Sequence, residues 1–293
     1  MAMSLENRLK VNAEQLDQKI EIILEKWLLE AKTINVSLIP LVTEFIKANK
    51  GGKKVRGFLV RLGYELAQKT HLPGVKAHLE GGAEIIKVAA AYEIFHTAIL
   101  AHDDIMDQDT QRRGQPSLYQ ALRPKDGQVD GDHYGISQAI SLADAGFFIA
   151  VKIITEAKFE AKLTNQALSL FSQTMIETSL GQMLDLKKTD PFTVMRLKTA
   201  KYTVCAPLQL GALLGGASKD LIKKLAEFGE HLGIAFQIKD DILDGEVGSV
   251  EESEKKALEY VSKAKKILPK LTDNKNMRKL LEELVKYMVE RNK

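Results

Sequence analysis

Asp103 and Asp107 stand four residues apart in the run His102-Asp103-Asp104-Ile105-Met106-Asp107. On a helix that spacing puts both carboxylates on one face. Two like charges there repel, and the run closes a long apolar segment, at the helix end whose dipole favours cations. A bound cation relieves both penalties. The run Phe236-Gln237-Ile238-Lys239-Asp240-Asp241-Ile242-Leu243-Asp244 repeats the arrangement, with Asp240 and Asp244 again four apart. Two such clusters in one helical domain are expected to face each other. Oxygen-only ligation with few ligands per ion suits Mg²⁺, which keeps waters and completes its shell from substrate phosphates. A di-iron centre would draw on Glu-x-x-His pairs, and none is expected in this chain.

A metal site that serves phosphates needs cationic company, and the chain carries it. Gly51-Gly52-Lys53-Lys54-Val55-Arg56 sets cations after a flexible pair. Arg112-Arg113-Gly114-Gln115-Pro116 follows the first acidic cluster directly. Adjacent guanidinium groups on a Gly/Pro-punctuated loop can clamp two different phosphoryl groups. Lys198-Thr199 falls in an apolar helical pattern, where a lysine snorkels outward unless a neighbouring anion holds it. His96 lies seven residues before Asp103, in the most apolar stretch of the chain. It is either a satisfied core residue or, with the basic groups, an anion ligand.

These residues need rigid elements to hold them, and the hydrophobic spacing is helical throughout. Leu16, Ile20, Ile23, Leu24, Trp27 and Leu28 recur at three-and-four spacing within Val11–Ala31. Comparable patterns run over Leu79–Asp104, Ser137–Ala157, Asn165–Leu186, Val194–Leu214, Leu221–Leu243, Glu251–Leu268 and Asn276–Glu290. No run alternates as a strand would. Breaks are expected at Gly51-Gly52, Pro73-Gly74, Gly114–Pro116, Pro124–Gly135 and Thr189–Pro191, and a kink at Pro207. The reading is all-α: one domain over residues 1–293, about ten helices around a central apolar cavity. The helix with Ile94 and Ala98 is apolar almost all round and is expected to be buried.

Composition narrows the class. The 293 residues are 45% hydrophobic, enough for a substantial core, and the one cysteine excludes a disulfide scaffold. A net charge of +3 from 42 basic and 39 acidic residues gives no sign of nucleic-acid binding. No apolar run reaches the length of a membrane span, and Met1–Lys10 has no signal-like core, so a cytoplasmic protein is expected.

Taken in order, the motifs resemble those of the trans-type isoprenyl diphosphate synthases, the polyprenyl synthetase family. The matching residues are Gly51-Gly52-Lys53-x-x-Arg56, His96, Asp103-Asp104-x-x-Asp107 and Arg112-Arg113-Gly114-x-Pro116. Then come Gly181-Gln182-x-x-Asp185, Lys198-Thr199-Ala200 and Phe236-Gln237-x-x-Asp240-Asp241-x-x-Asp244. The resemblance covers roughly residues 40 to 245. It implies the isoprenoid synthase fold, a homodimer, and three Mg²⁺ ions bound with substrate. Asp103, Asp107 and Asp240 would hold those ions, with Asp104, Asp241 and Asp244 in support. Arg112, Lys198 and Gln237 would contact an allylic diphosphate, and Lys198, Thr199 and Gln237 would face its carbocation. Lys53, Arg56, His96 and Arg113 would bind isopentenyl diphosphate. The implied reaction is ionisation, condensation and elimination; a non-catalytic synthase subunit and a class I terpene cyclase are alternatives.

Two features are particular to this chain. After Asp244 the connection, residues 245–250, is shorter than the family's and lacks its Gly-Lys segment; Lys255 or Lys256 are possible stand-ins. The resemblance also implies that the product grows down the helix before Asp103, past positions five, eight and eleven residues earlier. These are Ala98, Phe95 and Tyr92. Ala98 leaves no floor at the first, and Phe95 lies about 4.5 Å deeper at about 1.5 Å per residue. Geranylgeranyl diphosphate or a close neighbour is therefore expected, with farnesyl diphosphate the alternative.

Overall fold

The computed structural model describes residues 3–70, 79–124 and 130–290. Helices dominate it: α1 (Leu5–Ile34), α2 (Leu38–Ala48), α3 (Val55–Thr70), α4 (Leu79–Met106), α5 (Leu118–Ala121), α6 (Gly131–Glu156) and α7 (Ala161–Leu186). There follow α8 (Pro191–Val194), a π-helix (Met195–Cys205), α9 (Ala206–Leu214), α10 (Lys219–Asp244), α11 (Val250–Leu271) and α12 (Lys275–Val289). The all-α expectation holds. The break expected at Pro73-Gly74, and residues 125–129 of the one expected at Pro124–Gly135, lie outside the described residues.

Backbone packing divides the chain into two compact units. One comprises Met1–Leu9, Phe58–Ile85 and Lys158–Lys293; the other Lys10–Gly57 and Ile86–Ala157. In the second, α1 buries the expected stripe of Leu16, Ile20 and Leu24, and α2 buries Val42, Phe45 and Ile46. Trp27 meets Phe45 edge-on at 5.9 Å between ring centres, so the short α2 is held by aromatic packing rather than by its length. In α4, Val88 to Ala91, Ile94, Phe95 and Ala98 are all essentially inaccessible, as a helix with no polar face requires. In the first unit, α10 buries Leu225, Phe228, Leu232, Ile234 and Ala235, and α12 buries Leu281, Leu284 and Val285.

Three local features depart from the sequence expectations. Gln111–Arg112 and Gln115–Pro116 pair antiparallel through a turn of Arg113 (φ 55°) and Gly114 (φ 72°). Positive φ at both central residues suits a two-residue hairpin loop, so the Gly/Pro signal marked a hairpin too short to show alternation. Before Pro207 the helix does not simply kink: it widens to π geometry over Met195–Cys205, and the Ala206 amide donates five residues back to Lys201. Proline cannot donate, and its ring crowds the preceding turn; the wider turn accommodates both. Finally, Gly82–Met106 and Gly131–Glu156 are long and apolar enough to cross a membrane, correcting the run-length reading. Isolated polar residues break a run without lowering the mean hydropathy much. The first is 72% buried and serves as a core helix, whereas the second is only 33% buried.

Candidate active site

Each unit carries its own set of the residues singled out above. In the second unit the loop before α3 is shaped by backbone conformation: Gly51, Gly52 and Lys54 have φ of 70°, 80° and 47°. A lysine in this left-handed region is strained, and the loop holds it there by three contacts. Its Nζ donates to the Asn49 carbonyl at 2.6 Å and lies 3.3 Å from Asp17, and its carbonyl accepts from Asn12 at 3.3 Å. Lys54 is thus buried structure, whereas Lys53 is exposed. At the start of α3, Arg56 Nη1 stands 3.1 Å from His96 Nε2. A guanidinium can only donate, so Nε2 accepts and the neutral ring carries its proton on Nδ1. Burial, then the charges of Arg56, Arg113, Lys54 and Arg112, hold the His96 pKa well below the ordinary histidine value.

Arg113, at the hairpin tip, brings its guanidinium over Gly52, where a Cβ would come within 2.9 Å of it. Arg112 turns the other way. Its Nε donates to Asp104 at 2.8 Å, its Nη2 reaches the same oxygen, and Nη2 also meets Asp109 at 3.1 Å. Asp104 is therefore buried and engaged by arginine. Burial pushes its carboxyl pKa up, against the pull of Arg112. Asp103 is half-buried and Asp107 exposed. The Asp107 amide donates to the Asp103 carbonyl at 2.8 Å, so the two keep helical spacing although α4 ends at Met106. Tyr92 and Phe95, each 1% exposed, pack edge-on at 5.8 Å. Phe95 also meets Phe147 of α6 at 5.4 Å. Ala98 faces Gly146 of α6, where an added Cβ would stand 3.1 Å from its methyl.

In the first unit the π-helix runs against two glycines. A Cβ on Gly181 of α7 would lie 2.7 Å from the Lys198 amide, and one on Gly233 of α10 would lie 2.5 Å from Ala200 Cα. That close approach sets three side chains in order. Thr199 Oγ1 donates to Gln237 Oε1 at 2.7 Å, and Gln237 Nε2 donates to Asp241 at 2.6 Å. Lys198 Nζ donates to Asp185 at 2.7 Å; the anion that would keep this lysine from snorkelling is thus the aspartate of the Gly181-Gln182-x-x-Asp185 run. Burial raises the Asp241 pKa, Gln237 opposes it, and Asp240, Asp244 and Asp185 add to it. Asp240 is half-buried and Asp244, the last residue of α10, is exposed. Gly245 caps the helix at φ 77°. In α11, the Lys256 ammonium stands 5.8 Å from the Phe192 ring centre.

The carboxylates fit Mg²⁺. Among the described residues no three His, Cys, Asp or Glu side chains converge as a ready-made cage. A hard ion that takes one or two carboxylates and fills its shell with water and phosphate needs none. The expectation that no Glu-x-x-His pair is present is corrected: Glu93 and His96 stand at that spacing, but Glu93 accepts the Gly57 amide and His96 accepts Arg56, so neither is turned to a metal. Sequence reasoning missed Glu93, Lys54 and the role of Asp185. The only signal for Glu93 was that it is the one acid in the apolar stretch from Val88 to Ala101.

The chain is similar to known proteins in both fold and sequence. Solved structures share the fold: a geranylgeranyl pyrophosphate synthase from Corynebacterium glutamicum, complexed with isoprenyl diphosphate and magnesium, superposes with a TM-score of 0.86 at 22% identity. The match covers 99% of this chain and 100% of that one. Among curated proteins, the geranylgeranyl diphosphate synthase of Methanosarcina mazei is 31% identical over 201 residues, 66% of this chain and 55% of that protein. The geranylfarnesyl diphosphate synthase of Aeropyrum pernix is 33% identical over 229 residues, 74% of this chain and 65% of that one. The chain thus spans between about half and two thirds of these curated relatives. The polyprenyl synthetase family model matches residues 40–293, and with nearly the whole chain inside that match, the chain belongs to the polyprenyl synthetase family.

Proposed function

We propose that the chain is a Mg²⁺-dependent prenyltransferase that condenses isopentenyl diphosphate with an allylic diphosphate. One observation carries this reading: Arg56, His96 and Arg113 form a cationic set on the same helical framework as the Asp103/Asp107 pair. The likeness to a synthase solved with isoprenyl diphosphate and magnesium supports it. Asp103, Asp107 and Asp240 would hold the ions, up to three with substrate bound, and Asp241 and Asp244 would assist. Bound Mg²⁺ supplies neutralisation of the charge that develops on departing diphosphate.

The chain's own residues do the rest. Lys53, Arg56 and Arg113 bind the diphosphate of isopentenyl diphosphate, and His96, held neutral, completes that set without adding charge. Asp104 fixes Arg112 so that its guanidinium meets the allylic diphosphate as a preorganised cation. Lys198, tethered by Asp185, adds a second. When the C–O bond of the allylic substrate breaks, the electron pair leaves with diphosphate. The Thr199 and Gln237 oxygens then face the allylic cation. The isopentenyl double bond attacks C1 of that cation, and a proton lost from C2 of the isopentenyl unit forms the new double bond, with diphosphate as acceptor. Apolar walls exclude water that would quench the cation.

Ala98, Phe95 and Tyr92 set the product length in this reading, with the Phe95–Phe147 contact as the floor, and geranylgeranyl diphosphate or a close neighbour as product. We also infer a homodimer. α6 is one third buried, and Phe148 and Ile140 on it are 74% and 41% exposed; a second copy would cover them. The test is product analysis after incubation with dimethylallyl, geranyl and farnesyl diphosphates plus isopentenyl diphosphate and Mg²⁺. Condensation that requires both substrates is expected. Turnover of the allylic substrate alone, to hydrocarbons, would indicate a cyclase and overturn the reading.

A further inference from the structure

We propose that Glu93 is a positioning residue that presets the isopentenyl diphosphate subsite, acting through the first turn of α3; this rests on the function proposed above. Glu93 is 4% exposed in the middle of α4. Its carboxylate accepts the Gly57 amide at 2.7 Å. Gly57 is the third residue of α3, and the amides of a helix's first turn have no partner within the helix. The chain before α3 offers no capping side chain, since Lys53 and Lys54 precede it. A carboxylate from another helix takes that place, and a negative charge at a helix N-terminus is favoured by the dipole as well.

What this contact fixes is the register of two helices. Gly57 allows the approach: a Cβ there would lie 2.4 Å from Leu16 Cδ1, 3.0 Å from the Ala89 carbonyl and 3.2 Å from Glu93 Cγ. Arg56 is the residue before Gly57, and His96 lies one turn beyond Glu93. The Glu93–Gly57 bond therefore sits one residue and one turn from the 3.1 Å Arg56–His96 contact. Arg56, Arg113, Lys54 and Arg112 all act on His96 as like charges, so a cationic cluster is being held together before any anion arrives. The Glu93–Gly57 bond holds the start of α3, and Arg56 with it, in place against that repulsion. No comparable link from Glu93 reaches Arg112 or the Asp103/Asp107 pair among the described contacts. Its loss should fall on one substrate rather than on both.

The test compares wild type with Glu93→Ala, Glu93→Asp and Glu93→Gln. Calorimetric titration with inorganic diphosphate, without Mg²⁺, reads the preset cationic cluster directly and needs no turnover. Tenfold or greater weakening in Glu93→Ala is expected, a smaller loss in Glu93→Asp, and recovery to within threefold of wild type in Glu93→Gln, whose amide oxygen can accept the same bond. In the condensation assay, KM for isopentenyl diphosphate should rise tenfold in Glu93→Ala, while kcat and KM for the allylic substrate stay within threefold. Unchanged diphosphate affinity in Glu93→Ala overturns the inference, as does an equal rise in both KM values, the signature of general loosening. If Glu93→Ala does not fold, the same split in Glu93→Asp decides. A wild type that binds diphosphate but condenses nothing refutes the proposed reaction instead, and the titration still judges Glu93.

Discussion

Removing one carboxylate from a pair four residues apart leaves the other without a reason to hold an ion. Asp103→Ala or Asp240→Ala should lower turnover by about 10³-fold or more, a loss of several kcal/mol of charge stabilisation in the transition state. Circular dichroism should stay unchanged, because Asp103 and Asp240 are only half-buried; near-normal rates with Mg²⁺ supplied would remove the metal assignment. His96 offers a separate test with a definite sign. An unfolded histidine protonates near pH 6.5, and in the fold burial and four cations hold His96 well below that. Between the two values the unfolded chain binds the extra proton, so stability is full above about pH 6.5 and falls as pH drops below it. Wild type should lose stability between pH 7.5 and 5 faster than His96→Gln, by up to about 1.4 kcal/mol per pH unit. Urea titrations at several pH values would read the difference; parallel slopes would mean that His96 protonates freely in the fold. At this scale the sequence was most legible where charge had to repeat: both aspartate clusters, the paired arginines, Lys53 and Arg56. It was silent on direction. Nothing in Asp103-Asp104 says that the second carboxylate turns to Arg112, and nothing in Lys53-Lys54 says that one lysine is exposed and the other buried.

Long helices declared themselves through period and length, so α1, α4, α6, α7, α10, α11 and α12 were readable to within several residues. The short α2 and the glycine-containing α3 were not. Two glycines, Gly57 and Gly63, weaken the helical signal of α3, although Gly57 is what lets the first turn of α3 come close to Leu16, Ala89 and Glu93. The π-helix was beyond reach, because the apolar residues over Val194–Leu214 fall on most sides and so mark no single helical period. Its placement between α7 and α10 gives a direct prediction. Gly181→Ala or Gly233→Ala forces a methyl into backbone, and overpacking of this kind costs about 1–3 kcal/mol. Activity should fall more than stability does, since Lys198 and Thr199 ride on the displaced segment; denaturant midpoints and kcat measured together would show it. Within α4, Phe95→Ala removes a fully buried ring, at about 3–5 kcal/mol, and should lengthen the product by one isoprene unit, more with Tyr92→Ala added. Chain-length analysis with unchanged products in both variants would place the floor elsewhere.

For the molecule as a whole, the acidic and basic clusters carry unbalanced charge until ligand arrives, and anything that binds only the folded state raises its stability. Mg²⁺ together with inorganic diphosphate should raise the melting temperature by several degrees, with each alone giving less; calorimetric scans with no shift for the pair would count against the site. Light scattering should give twice the chain mass, and Phe148→Glu on α6 should lower it. The π-helix has one more consequence. Its last residue, Cys205, is the chain's only thiol. It is fully buried, with its sulfur 3.4 Å from the Ala226 carbonyl and its backbone within 3.0 Å of where a Cβ on Gly229 would lie. Burial pushes its pKa far up, so in the closed fold it is almost never a thiolate, the reactive form. Modification by a thiol reagent must therefore wait for the π-helix to part from α10, and the labelling rate becomes a clock for that opening. The same segment carries Lys198 and Thr199, so ligand held by those side chains should slow the clock. One native cysteine, with no added probe, would report how often the π-helix parts from α10.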